Sequence, residues 1–328
     1  MTPYERRQRL SLMFPAQPGG LDELMDFAGC AREVSARRLW MGQSIRLDTY
    51  QAMAGLAGRM PGLPLGTGVT LTPLMHPYMA AMAARSVSAL SQASFVAGFG
   101  PGAKEFQNSV LDRPFERPLK AVEEYVTLVR RLLDGEVVNH SGEHYTMRSV
   151  LIPVQAPVVE VGVGVLRPGM AKVAGRAADV AITWLAPPWY ISDHLNPAFE
   201  LGAKEADREP PRVAAVVHAA VKRRGRNLRR IVQAVVGSHL SAAHYTDMLR
   251  KAGLSVDPAN PRQGAQELID SGVFATGTPD EIAVAIERYV ECGVDEVILN
   301  VGGVYLVEGQ AAAEREIREI MEAWESRE

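Results

Sequence analysis

The chain has 328 residues, 47% of them hydrophobic and 22% charged, with a formal net charge of -3; this is the mixture of an ordinary folded protein, long enough for one large domain or two smaller ones. So weak a net field excludes a general attraction to nucleic acid or to an anionic membrane surface. The two cysteines, Cys30 and Cys292, make neither a disulfide framework nor a C-x-x-C site, and no run approaches the roughly 20 apolar residues of a membrane span, so the reading is a cytoplasmic protein with free thiols.

From the N-terminus, the apolar run Leu10 to Ala16 is broken by Ser11 and Pro15 and is too short for a signal-peptide core. It belongs instead to the first of a series of short apolar runs, each followed by a longer amphipathic stretch. The runs are Arg9 to Phe14, Arg38 to Gly42, Leu63 to Thr70, Ser94 to Gly100, Pro157 to Gly164, Asp179 to Trp184, Val213 to Val221 and Asp295 to Gly303. Such alternation is the signature of βα units around a parallel sheet. Eight of them close a (β/α)8 TIM barrel, whereas an open six-stranded sheet leaves two runs without a place. The chain exceeds a minimal barrel of roughly 250 residues, so the reading is a single domain over 1–328 with insertions, a hairpin at about 136–154 and a helical segment at about 222–280.

The stretch Phe95 to Phe106, FVAGFGPGAKEF, contains the spacing G-x-G-x-x-A of a dinucleotide loop. Its context is wrong for that: it follows the fourth run rather than the first, Glu123 and Glu124 fall inside a helix, and Pro101 lacks an amide donor. His140 and His144 lie in a Gly-containing hairpin with no third ligand nearby, so no metal site is read. His76, before Pro77, reads as structural.

Taken together, GTGVTLTPLMHPYMAAMAARSVSAL, FVAGFGPGAKEF, RPLKAVEEYVTLVRRLLDGEVVNHSGEHYTM and VGVGVLRPGMAKVAGRAADVAITWLAPP resemble the bacterial luciferase-like superfamily of barrel enzymes. The G-x-G-P-G-x-K loop and the Gly-Val pair after the third run resemble most its coenzyme F420-dependent branch, which includes methylenetetrahydromethanopterin reductase; other members use FMN, and fold alone does not separate the two. The resemblance implies a non-prolyl cis peptide at Gly68-Val69 against the deazaflavin ring, with Met13 and Thr70 beside it. It also implies that Gly100, Pro101, Gly102 and neighbouring Lys104 face the ribityl and phosphate part. The segment Gly164, Val165, Leu166, Arg167, Pro168, Gly169 and Met170 would hold the phosphate: Pro168 suits the first turn of a helix, and the amides of Gly169 and Met170 are expected to be open to an anion.

Relatives commonly carry an acid on the first strand or an acid-His pair after the second. Here Met13, Gln43 and Ser44 stand there, none of which titrates near neutral pH. Gln43 and Ser44 are read as the catalytic pair that orients substrate, with the proton from solvent or from Tyr190, His194 or Glu143. Hydride delivery to an activated C=C or C=N bond, such as a dehydroamino acid in a peptide, makes the smallest demand on a general acid. Trp184, Trp189 and Tyr190 form a candidate substrate lid, and the basic run Lys222 to Arg230 a candidate rim for the acidic cofactor tail. An FMN-dependent monooxygenase and a non-catalytic flavin- or deazaflavin-binding protein are the alternatives. The partner is a small-molecule or peptide substrate, and relatives are often homodimers.

Overall fold

The computed structural model describes residues 1–327. Eight parallel strands form a barrel: β1 (Leu10–Met13), β2 (Leu39–Met41), β3 (Leu65–Thr67), β4 (Phe95–Gly100), β5 (Val159–Val165), β6 (Val180–Trp184), β7 (Arg212–Val221) and β8 (Glu296–Asn300). Each pairs with the next, and β8 returns to β1 with Leu10 opposite Val297 and Leu12 opposite Leu299, which closes the cylinder. Every strand overlaps one of the eight runs read from the sequence. The architecture is a TIM barrel, and because all its strands are parallel, their carboxyl ends open on one face.

Side chains alternate across each strand. The outward set, including Leu10, Leu12, Leu39, Leu65, Phe95 and Phe99, packs under the surrounding helices, while Met13, Trp40, Val96, Ile182, Val216 and Ile298 fill the interior. Glycine occupies inward positions of β3, β4 and β5 because large side chains lie across from them. A Cβ on Gly66 would stand 2.8 Å from the Trp40 ring, and on Gly162 2.9 Å from Ile182 Cδ1. Small residues on one wall are thus matched to Trp40 and Ile182, giving the interlocked filling of a solid barrel core.

The amino-terminal end is closed by charge. Glu296, fully buried, accepts from Ser11 Oγ at 2.6 Å and from Trp40 Nε1 at 2.8 Å, with Arg37, Arg38 and Arg212 between 3.4 and 3.7 Å away. Burial opposes its charge, but the Arg38 and Arg37 guanidiniums and the two hydrogen bonds outweigh that and hold the carboxyl below its ordinary range. A network at this end of a barrel serves stability rather than chemistry.

Two excursions leave the βα pattern. The antiparallel hairpin of Val138–Ser141 and Thr146–Ser149 is tied down by Glu124, which meets His140 Nε2 at 2.8 Å and accepts from the amides of His144 and Tyr145. After β7 come helices Leu228–Leu240, Ala243–Lys251 and Pro261–Asp270. The stretch read as helical also holds a short strand, Ala275–Gly277, which pairs with the end of β7 at Ala219–Val221. With ten residues, β7 outruns its neighbours and leaves an edge for that strand to use. Among the described residues no helix is long and apolar enough to cross a membrane.

Candidate active site at the carboxyl mouth of the barrel

The carboxyl ends of β3, β4 and β5 lie side by side, since Thr70 and Leu71, just after β3, pair with Phe99 and Gly100, and Phe99 with Val163. The Gly68–Val69 peptide bond following β3 is cis. Beneath it lies Met13, whose Cε is 3.9 Å from where a Gly68 Cβ would be. The segment is gripped from two sides. Gln43 N–H donates to the Val69 carbonyl at 2.9 Å, and Gln43 Oε1 accepts from Leu71 N–H at 3.2 Å. On the other side Thr70 Oγ1 donates to the Gly98 carbonyl at 3.1 Å, while Thr67 Oγ1 both donates to that carbonyl and accepts from Gly98 N–H at 2.8 Å.

Val69 points into a hollow made by missing side chains. A Cβ on Gly100 would stand 3.0 Å from Val69 Cγ2, and one on Gly164 3.2 Å from Val69 Cγ1. Two glycines that the sequence suggests are there for a ligand therefore also seat this isopropyl group. Pro101 and Gly102 present their carbonyls to Gln107 Nε2, at 3.0 and 3.2 Å. Gly102 has φ +70°, a conformation that favours glycine.

Pro168 opens helix Pro168–Ala177 as expected, with Arg167 at its N-cap. The amide of Met170, however, is not open: it donates to the Arg167 carbonyl at 3.0 Å, a tightening of the first turn that short-range bonds commonly supply. The Arg167 guanidinium meets Asp247 at 2.9 Å and the His244 carbonyl at 3.2 Å, and its buried Nε has no partner among the described residues. Val165 is buried at the end of β5 and Leu166 offers its carbonyl to Tyr190.

Ser44 is buried, and its Oγ accepts from Arg46 N–H at 3.0 Å and Leu47 N–H at 3.2 Å. Gln43 Nε2 donates to the Ser44 carbonyl at 2.9 Å. Both residues thus spend polar atoms on holding the loops after β2 and β3, a role that polarity alone does not announce. Trp189 donates to the Ala252 carbonyl at 2.9 Å and Tyr190 OH to the Leu166 carbonyl at 3.4 Å, pinning the loop after β6 to its neighbours. His194 packs on Tyr190, and Glu143 pairs with Arg117 at 3.0 Å on the hairpin.

Trp184, the last residue of β6, packs on the interior cluster together with Val69. It reaches the mouth between two imidazoles, His218 on β7 and His239 on helix Leu228–Leu240, with ring centroids 5.0 and 5.3 Å away. Neither histidine stands out as a site residue in the sequence: the run Val213 to Val221 is apolar on both faces and does not say which way His218 points. Burial, with the neighbouring His239 adding to it, pushes the His218 pKa down to about 3, and burial beside His244 brings His239 to about 4. Both rings are neutral at ordinary pH.

The basic rim divides. Arg226, whose side chain is 3% exposed, pairs with Glu308 and with the fully buried Glu316; Arg223 pairs with Glu316 and Glu319. These two fasten the end of β7 to the terminal helices, while Lys222, Arg224, Arg229 and Arg230 are exposed.

A closed barrel whose mouth carries this set of loops matches the luciferase-like monooxygenase family over residues 8–296. The chain belongs to that family. It is 25% identical over 277 residues to 5,10-methylenetetrahydromethanopterin reductase of Archaeoglobus fulgidus, covering 76% of this chain and 80% of the relative. Another relative, F420-dependent glucose-6-phosphate dehydrogenase of Kineococcus radiotolerans, is 24% identical over 302 residues, 86% of this chain and 87% of its own. The structure of coenzyme F420-dependent tetrahydromethanopterin reductase from Methanopyrus kandleri superposes with a TM-score of 0.74 at 19% identity, covering 96% of this chain and 99% of that one.

Proposed function

We propose that this luciferase-like chain is a coenzyme F420-dependent oxidoreductase. What carries the reading is the conjunction of F420-dependent relatives aligned over most of the chain with a mouth that fits a flat ring bearing an anionic tail. The wall formed by Gly68, Val69, Gly100 and Gly164 is backbone and one isopropyl group, and backbone can approach a planar ring closely. Arg167 brings a buried Nε without partner to the start of a ten-residue helix, the combination that suits a phosphate. When bound, the deazaflavin supplies a hydride.

The chain's own residues then act by position. Val69 and Met13 support the ring, Gln43 and Thr70 hold the segment that carries Val69, and Gly102 and Arg167 lie toward the tail. The finer half of the reading is that the substrate presents an activated C=C or C=N bond, in a small molecule or in a dehydroamino acid of a peptide. Met13 and the engaged Gln43 and Ser44 leave the first two strand ends without an ionisable group, and such a bond demands least of a general acid.

Fluorescence titration of the purified protein with F420, and separately with FMN, is the test. Saturable binding of F420 with FMN much weaker is expected. Tight binding of FMN alone would replace this reading with flavin-dependent monooxygenation, as the family's description allows.

A further inference from the structure

On the β6–β7 side of the mouth, next to glycine-bearing β5, three buried nitrogens around one indole have no partner among the described residues: Trp184 Nε1, His218 Nδ1 and His239 Nδ1. The protonation of one imidazole follows from its neighbour. Asn300 Oδ1 accepts the Gly302 amide at 2.8 Å, which turns the Asn300 NH2 toward His218 Nε2, 3.3 Å away. Nε2 is therefore the acceptor, and a neutral His218 must carry its proton on Nδ1. The result is a fully buried N–H with nothing to donate to, beside the equally unpartnered indole N–H of Trp184. An orphan donor away from water is costly unless a ligand satisfies it.

The surroundings say what that ligand is. Trp184 is stacked on His239 and meets the edge of His218, His218 is backed by Phe274, and His239 by Tyr245. No cationic side chain is among these ring neighbours, and both imidazoles are neutral, so a carboxylate brought here would lose its hydration without gaining a counter-charge. A neutral acceptor oxygen meets no such penalty. Trp184 packs on the same interior cluster as Val69, so its ring and the wall assigned to the deazaflavin share one floor.

We infer that Trp184 Nε1 and His218 Nδ1 form a two-donor subsite for a neutral carbonyl oxygen of the substrate, with Asn300 the positioning residue that fixes the His218 tautomer. The inference rests on the oxidoreductase reading for its substrate but concerns a different wall. It narrows the substrate to a compound in which the reducible bond is conjugated with, or close to, a ketone, ester or amide carbonyl.

The test follows the indole N–H signals by 1H–15N correlation spectroscopy, with Trp184 identified from Trp184→Phe. Protein with and without F420 is titrated with 2-cyclohexenone and, at matched ionic strength, with acetate. The Trp184 N–H should move downfield and saturate with the enone and stay put with acetate. His218→Leu should weaken the enone by roughly tenfold, while F420 affinity, read by cofactor fluorescence, stays unchanged. A wild-type signal that ignores the enone, an equal response in His218→Leu, or an indole N–H already at the downfield shift of a hydrogen-bonded donor before any probe, as an ordered water would make it, each overturns the subsite. Should His218→Leu fail to fold, the wild-type titration alone decides. Absence of F420 binding in the same samples counts against the cofactor reading instead.

Discussion

The seat of Val69 offers the sharpest test of how the glycine wall works. In Gly164→Ala the new methyl would stand 3.2 Å from Val69 Cγ1 and 3.5 Å from Cγ2, so the isopropyl group must give by a few tenths of an ångström, at the ~1–3 kcal/mol typical of overpacking. Val69→Ala alone removes two partly buried carbons, worth about 1–1.5 kcal/mol at the usual value per buried CH2. In the double variant the colliding atoms are gone and the methyl introduced at position 164 occupies space that the isopropyl group vacated. The two effects should therefore fall short of their sum by ~1–2 kcal/mol, well beyond the ~0.5 kcal/mol within which independent sites add. Urea unfolding of the four proteins measures this coupling. In parallel, F420 titration should show Gly164→Ala weaker by roughly five- to tenfold, about 1 kcal/mol or a little more, and the double variant partly restored. Additive stabilities would mean that Gly164 does not seat Val69. Gly98→Ala provides the contrast, for its Cβ would overlap the Thr67 carbonyl oxygen and Ile182 Cδ1, where backbone cannot retreat, and no soluble folded protein is expected.

Two further outcomes separate structure from ligand capture and fix the state of the buried histidines. Arg226→Ala strips the buried Glu316 of one of its two arginines and should lower stability by about 3 kcal/mol with F420 affinity unchanged, whereas a triple Arg224/Arg229/Arg230→Ala variant should keep its melting temperature and lose F420 affinity at low salt only; unchanged affinity at both salts removes the rim from cofactor capture. His218 titrates near 3 when folded against about 6.5 when unfolded. Between those values the unfolded chain binds more protons, so stability is full above about pH 6.5 and is lost as pH falls, by up to ~1.4 kcal/mol per unit for this one group. Urea unfolding at pH 6.5 and 5 should show a flatter pH slope in His218→Phe than in the wild type, and an equal slope would mean that the folded imidazole is not held neutral by burial.

The barrel was legible because its signal is local: eight apolar runs of strand length separated by amphipathic stretches leave few alternative ways to bury both faces of a parallel sheet. The hairpin under Glu124 was legible for the same reason, through Gly142 and the Pro153 that follows. Side-chain partnerships are another matter. Arg226 reads as one of six basic residues on an open rim, and nothing near it in sequence reveals that Glu308 and Glu316 come to meet it. Gln43 reads as a substrate-facing polar group because the segment that needs its hydrogen bonds begins only after the next strand, and Ser44 because its sequence neighbours do not show that its hydroxyl caps the amides of Arg46 and Leu47. The run that becomes β4, with glycine at both Gly98 and Gly100, suggests close approach of something, yet only the folded wall shows that Thr67, Ile182 and Val69 are part of what approaches.

The two walls of the mouth therefore differ in kind, and the difference has a chemical consequence. The β3–β5 side is stripped of side chains and held by hydrogen bonds within the chain, so it can fix a flat ring by shape. The β6–β8 side brings an indole, two neutral imidazoles and an asparagine, with the indole N–H and His218 Nδ1 unspent among the described residues, so it can recognise one oxygen by direction. A reacting carbon held between shape on one side and direction on the other has its distance and its angle set independently, which is what the proposed hydride transfer, without an ionisable group at the first two strand ends, would require.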